Sequence, residues 1–447
     1  VLYPLRNINR GSPGIFFIFA GIILAAIFIL AVFLISPVLS LAITVAAIFF
    51  IATFLKLEVG FAILIFSMLL SPEFNLVGAL PGAFRGVTLR VDDLLLGVIF
   101  FAFLARMALM RSKISFKYSP LYLPLSVYMF IKIIATLWGI NKGSVYPMTG
   151  MFFVLKEIEF LLIFFVVYNY VREQKQVKNF LIIFLIMTVI VGIYGFTQIG
   201  RVNRVAAPFD TGEANTFGGF LVLMYACILG ILFYSESIKV KMGMITLAVL
   251  LFFPFLFTLS RSSYLGLVLT LLVFFLLTRN RGLLFILFFM LVLSPWWLPQ
   301  EVISRITYTF SGYRGYTLGP SAISRLGMWR YTLRMWLESP LLGHGVTGVR
   351  LVDNYYVRLL GETGILGLGA FFWVISVIGR CAWKLYRESK DRFTHYFAVA
   401  YIAGFVGILA HAITTNTFYI VRIMEPFWFI TALMMVLWEK EVGLTKR

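Results

Sequence analysis

Charge is scarce in this chain: only 13% of its 447 residues are Asp, Glu, Lys or Arg, while 61% are hydrophobic and 17% aromatic. With a mean hydropathy of +0.96, a soluble domain could not hide so much apolar surface, and that class is excluded. Cysteine is nearly absent. Cys227 and Cys381 fall within or at the end of predicted spans, far apart in sequence, which argues against a disulfide framework or a zinc site. Three histidines leave little room for His-rich metal chemistry. Internal repeats, low-complexity tracts and a separate soluble domain are missing as well, so residues 1–447 read as a single integral membrane domain. The net charge of +19 would elsewhere point to nucleic acid. Here membrane topology accounts for most of the excess, because cytoplasmic loops collect Lys and Arg, and no nucleic-acid partner is expected.

What the chain has is long apolar runs, repeated from end to end. They predict an all-α polytopic membrane protein with about 12–14 transmembrane helices. The fullest count places spans near residues 14, 37, 57, 91, 119, 148, 177, 213, 240, 262, 281, 351, 393 and 418. The first run, about Gly14 to Leu34, is too long for a signal-peptide core and reads as a retained helix. One long connection remains, residues 299–350, expected to form an external loop with amphipathic helices. With both termini cytoplasmic, 22 of the 38 basic residues lie inside and 14 outside. Thirteen of those fourteen are arginines. Lys satisfies the positive-inside rule as well as Arg does, so topology does not explain an arginine face. A planar fork that grips phosphate or carboxylate bidentately does.

Three stretches carry six of these arginines. "GRVNRVAAPFDTGEANTFGGF" (200–220) holds Arg201 and Arg204 ahead of the eighth span, and "TLSRSSYLGL" (258–267) puts Arg261 in a tight turn at the apolar boundary. An arginine at that depth with no acid nearby in sequence suggests function. "SAISRLGMWRYTLRMWLESP" (321–340) predicts a helix with Arg330 and Arg334 four apart on one face and Trp329 and Trp336 seven apart on another. It reads either as an interfacial anchor or as a lid over a lipid-linked substrate.

The fourth stretch, "GHGVTGVRLVDNYYVRLLGETGILGLG" (343–369), runs polar groups straight into a glycine-spaced apolar helix. Asp353 sits where that helix begins and fits an N-cap. It also fits an acceptor of a hydroxyl proton. Gly361, Gly364 and Gly367 predict close approach of a neighbouring helix. Glu362 is expected to neutralise one of the arginines, with Asn354 and Arg358 as its companions around the site. His411 and Asn416 near the end of the thirteenth span read as polar packing or as cavity lining.

Together, "SRLGMWRYTLRMWLESPLLGHGVTG", "DNYYVRLLGETGILGLG" and "TLSRSSYLGL" resemble the O-antigen ligase and Wzy-type polymerase superfamily, clearly over about residues 200–430. The family signature is a His followed by Asn, Ser or Gln, nine residues, and Gly-x-x-Gly at the mouth of a helix. Asn354, Gly364 and Gly367 match that spacing. The resemblance implies a GT-C-like membrane glycosyltransferase of a bacterial or archaeal cytoplasmic membrane, with its site on the external face and no cofactor or metal. It would move a glycan from a polyprenyl diphosphate-linked oligosaccharide donor to a glycan or glycolipid acceptor. Arg261 and Arg204 (or Arg201) would hold the diphosphate, and Arg330 and Arg334 are further candidates for that role. In place of the signature His stands Asp353, a weaker base because carboxylates have an ordinary pKa of about 4. His344 is the alternative base. The substitution inclines the reading to polymerase over ligase. The rivals are a metal-dependent transferase using Asp92 and Asp93, and a lipid-oligosaccharide flippase. One-sided arginines suit surface chemistry better than alternating access.

Overall fold

The computed structural model describes residues 37–77, 87–109, 116–209, 213–309 and 319–443. Thirteen of the fourteen predicted spans have a helix starting within four residues of the expected place. The one near residue 14 lies outside the described residues, as do the termini. Seven helices are long and apolar enough to cross a membrane: Tyr122–Asn141, Gln174–Gln198, Ala214–Tyr234, Ile238–Leu256, Tyr355–Glu388, Arg392–His411 and Val421–Gly443. Four shorter apolar helices add to them. Two more, Val91–Leu109 and Pro147–Tyr170, are interrupted by charged residues. The chain is an all-α polytopic membrane protein.

Packing divides it into two units, Val1–Ile63 with Leu94–Lys113, and Leu64–Asp93 with Ile114–Arg447. In the first, Arg106 Nη1 donates to the Phe54 and Leu55 carbonyls at 2.9 and 2.8 Å. Those are open carbonyls at the end of α1 (Pro37–Leu55), where a cation is favoured.

The second unit carries the site. A hairpin opens it, with β1 (Glu73–Val77) antiparallel to β2 (Val87–Arg90) and Glu73 opposite Arg90. The sequence pattern did not suggest it, since four- and five-residue strands leave no period in so apolar a chain. Helix α15 (Arg392–His411) packs against both α7 (Ala214–Tyr234) and α9 (Arg261–Leu277). Helix α14 (Tyr355–Glu388) packs on α4 (Tyr122–Asn141), and α16 (Val421–Trp438) on α5 (Pro147–Tyr170). Side chains fix where several helices start. Ser260 accepts from Ser263 N ahead of α9, and Asp391 accepts from Thr394 N ahead of α15. The beginnings of α7, α9 and α14 meet the end of α15 on one side of the unit. Ser260 Oγ donates to Asn215 Oδ1 at 2.8 Å, Thr415 Oγ1 to Ser262 Oγ at 2.9 Å, and Tyr355 N to Ala412 O at 3.0 Å.

Helix α14 is broken at Gly364, whose φ of 64° and ψ of −166° are not helical. The preceding loop lies in the gap and replaces the lost ladder. His344 N donates to Gly361 O (3.0 Å), Gly345 N to Glu362 O (2.8 Å), and Ile365 N to Pro340 O (2.9 Å). A Cβ on Gly364 would stand 2.2 Å from Leu341 O. The expectation of a neighbouring helix against all three glycines is therefore corrected. Gly361 does face Thr332 of α13 (Pro320–Glu338), but Gly364 admits a loop, and Gly367 faces Thr363 of its own helix.

Candidate functional site

Turn 257–260 brings the first arginine into place. Leu259 adopts a φ of 49°, a conformation costly for a leucine and characteristic of functional sites. The turn leaves Arg261 at the first position of α9. Its Nη2 donates to Ser321 Oγ at 2.8 Å and its Nη1 to Thr309 Oγ1. Both partners are neutral. Arg204 is anchored similarly, through Nε to Thr258 O (2.9 Å) and Nη2 to Asn215 Oδ1 (3.1 Å). Arg305, on the short helix α12 (Gln300–Thr307), donates from Nε to Leu259 O at 3.2 Å. Arg325 of α13 completes the group.

These four guanidinium groups feel one another. Arg261 lies in the fields of Arg325, Arg305 and Arg204. Burial, and then the charges of Arg305 and Arg325, push the Arg204 pKa below its ordinary value. Among the described residues the four have one ion-pair partner between them: Asp353, whose Oδ2 lies 3.4 Å from Arg325 Nε. Surplus positive charge held together by neutral anchors is the electrostatic arrangement that favours an anion.

Arg261 and Arg325 also line a cavity of about 730 Å³. Its remaining wall is almost wholly apolar, drawn from α9, α13, Ile238–Leu256 and Arg281–Val292, and includes Phe252, Leu291, Trp297 and Trp329. A long hydrocarbon with a charged end matches those two environments.

Asp353 stands at the start of α14 without capping it. The cap is Asn354, whose Oδ1 accepts from Val357 N at 3.1 Å. The Asp353 carboxylate is 49% exposed, and its only described ion pair is Arg325. Asn354 is thus spent on the helix. Arg358 and Glu362 are buried beneath, Arg358 Nε donating to Glu362 Oε1 at 2.8 Å, so Glu362 does neutralise an arginine. Glu362 also accepts from Thr347 N (3.1 Å) and from the Tyr419 hydroxyl. Tyr419 accepts from Lys132 Nζ at 3.2 Å, and Lys132 pairs with Glu157. This is a closed, charge-balanced core.

Other candidates lie elsewhere. His344 Nε2 donates to Met335 O at 2.7 Å, and its carbonyl accepts from Ser144 Oγ at 2.8 Å. That fixes the loop to its neighbours and leaves the ring outside the cavity lining. Arg201, Arg330 and Arg334 are exposed and do not line the cavity. Helix α13 turns Ala322, Arg325, Leu326 and Trp329 toward it instead. His411 is buried between Ser263 Oγ (3.2 Å) and Thr417 Oγ1 (2.8 Å), and Asn416 is buried as well. Sequence reasoning overlooked Arg305 and Arg325. The available signal was their membership of the arginine-only external set, which did not distinguish them from the other arginines there.

Asp92, Asp93 and Glu425 bring ligand oxygens within 4.8 Å of one another. Cations of the protein already stand there: Arg90 Nη2 is 2.9 Å from Asp92 Oδ2, and Lys156 pairs with Asp93. A divalent ion would have to displace or repel them, so this donor set fits a metal poorly.

Residues 246–372 match the family model described as O-antigen ligase. Over that stretch the chain is similar to the O-antigen ligase family. The match spans Arg261, Arg305, Arg325, Asp353 and Gly364, and stops short of Arg204 and of α15 and α16. No curated protein matches the chain. The apolar helices make it a multi-pass membrane protein, and the matched stretch lies within the unit that carries the arginine group.

Proposed function

We propose that the chain transfers a glycan from a polyprenyl diphosphate carrier to an acceptor hydroxyl on the external face of a bacterial or archaeal cytoplasmic membrane, as a polymerase of O-antigen or exopolysaccharide. The observation that carries this reading is the four-arginine group, two of whose members, Arg261 and Arg325, line an apolar cavity. The polyprenyl tail occupies the cavity, and the diphosphate meets Arg204, Arg261, Arg305 and Arg325. The acceptor oxygen attacks the anomeric carbon as the bond from that carbon to the diphosphate oxygen breaks. The acceptor proton passes to the Asp353 carboxylate, and the departing diphosphate keeps the electron pair. Fixed guanidinium groups in a partly dehydrated cleft stabilise that charge without reorganising. They supply what a metal supplies elsewhere, which supports a metal-independent reaction. In-line displacement predicts inversion at the anomeric carbon.

Arg325 has a double part. It pairs with Asp353 and would turn to phosphate when the carrier binds, leaving the carboxylate to the hydroxyl. The aspartate in place of the family's histidine favours polymerase. Transfer to a lipid A-core acceptor is the second reading, favoured by the ligase description of the matched family.

The test is release of polyprenyl diphosphate by purified protein given a lipid-linked oligosaccharide donor and acceptor with chelator present. Wild type is expected to release it, and Asp353→Asn to lose most of the rate with unchanged stability, because Asn354 still caps α14. Equal release by both would remove Asp353 from the chemistry. Loss of wild-type release on chelation alone would overturn metal independence.

A further inference from the structure

A second cavity in the same unit, of about 280 Å³, differs from the first in every respect that matters to a ligand. It is lined largely by polar and aromatic groups, from the β1–β2 hairpin, α5, the start of α7 and the segment 419–422. The Ser260–Asn215 and Thr415–Ser262 bonds, which hold Arg204 and the Arg261 turn, lie around the same helix ends. Glu213 and Thr216, either side of Asn215, face this second cavity.

Its charges are arranged in depth. The cations are committed to protein partners. Arg422 is 2% exposed and donates to Leu69 O (2.7 Å) and Ser71 O (2.9 Å). Arg90, also 2% exposed, donates to Met68 O at 2.6 Å besides pairing with Asp92. Lys156 is held by Asp93. The accessible charges are acidic: Glu213 is exposed with no ion-pair partner among the described residues, and Glu73 is 38% exposed beside Arg422 at 3.5 Å. Phe152 and Phe153, both part-exposed, supply flat apolar walls. Tyr419 ties this cavity to the transfer site, since its ring lies 5.6 Å from that of Tyr355, two residues after Asp353.

We propose that this cavity holds a sugar unit of the glycan, neutral or amino-bearing and not acidic. The inference rests on the glycan-transfer reading and adds a site and a ligand class to it. Aromatic faces pack against the C–H faces of a pyranose, while carboxylates and threonine hydroxyls take its hydroxyl protons. Carboxylates at the mouth attract an ammonium group and repel a uronate. The volume suits one or two rings and excludes a polyprenyl chain.

The test uses the full chain in nanodiscs and reads saturation transfer by NMR to two soluble probes, the β1,4-linked glucosamine disaccharide and glucuronic acid. The disaccharide is expected to bind wild type, and about fivefold more weakly to Glu213→Gln and to Phe153→Ala. Glucuronic acid is expected to give no transfer. Equal binding of the disaccharide by wild type and both variants, or glucuronate binding as well as the disaccharide, would overturn the proposal. Binding needs no turnover, so failure here with intact release of polyprenyl diphosphate leaves the transfer reading standing. Absence of release with intact sugar binding fails the transfer reading instead.

Discussion

Two groups of cations lie within one unit, and they are treated in opposite ways. Beneath the mouth of α14, the described cations have their acids: Lys132 with Glu157 and Arg358 with Glu362. Around the Arg261 turn, of Arg204, Arg261, Arg305 and Arg325 only Arg325 has an ion-pair partner among the described residues, the half-exposed Asp353. Buried charge left unpaired costs several kcal/mol, so the balanced group is what the fold can tolerate at depth. The unbalanced group is anchored by carbonyls, hydroxyls and an amide that orient guanidinium forks without cancelling them. The first arrangement holds the helix mouth in place, and the second leaves a positive group that the proposed diphosphate would neutralise.

That contrast can be broken at either end. The largest effect is expected from Glu362→Ala, which strands Arg358 in a buried site and should cost about 3–5 kcal/mol, read as a lower denaturation midpoint in mixed micelles. The double change Arg358→Met with Glu362→Leu should recover much of that loss, since no charge is left alone. Arg261→Gln should do the reverse: thermal stability unchanged, and polyprenyl diphosphate release down about 100-fold, the scale of removing one fixed donor to a developing charge. Gly364→Ala sharpens the structural half. A side chain at φ 64° facing Leu341 O should cost about 1–3 kcal/mol, measured by the same denaturation. Arg330→Gln with Arg334→Gln should change release by less than about twofold, because an exposed charge outside the cavity contributes little.

The sequence made the helices legible because each apolar run is long against its polar breaks, and Arg261 because a cation in a tight turn between two apolar runs stands out. The partners did not emerge. Arg330 and Arg334 share a helical face, and spacing alone made them the natural pair, but spacing does not say which face of α13 meets the cavity. Arg325, one turn earlier, occupies the face that does. Asp353 and Asn354 are adjacent, both good caps, and a cap is defined by backbone geometry at single-residue precision, beyond what pattern supplies. The Lys132–Glu157 and Arg358–Glu362 pairs meet through Tyr419 across helices far apart in sequence, so no local pattern joined them. Gly364 was legible as a special position. That it breaks its helix to receive residues 340–345 follows only from the tertiary path.

The most direct test of the central claim is the affinity of purified protein for polyprenyl diphosphate itself, without glycan, in wild type and in Arg204→Gln, Arg305→Gln and Arg325→Gln, with thermal stability measured alongside. The account predicts that each variant binds at least about tenfold more weakly while its unfolding temperature stays at the wild-type value. Wild-type affinity in all three, with lowered unfolding temperatures, would make these arginines structural and contradict it.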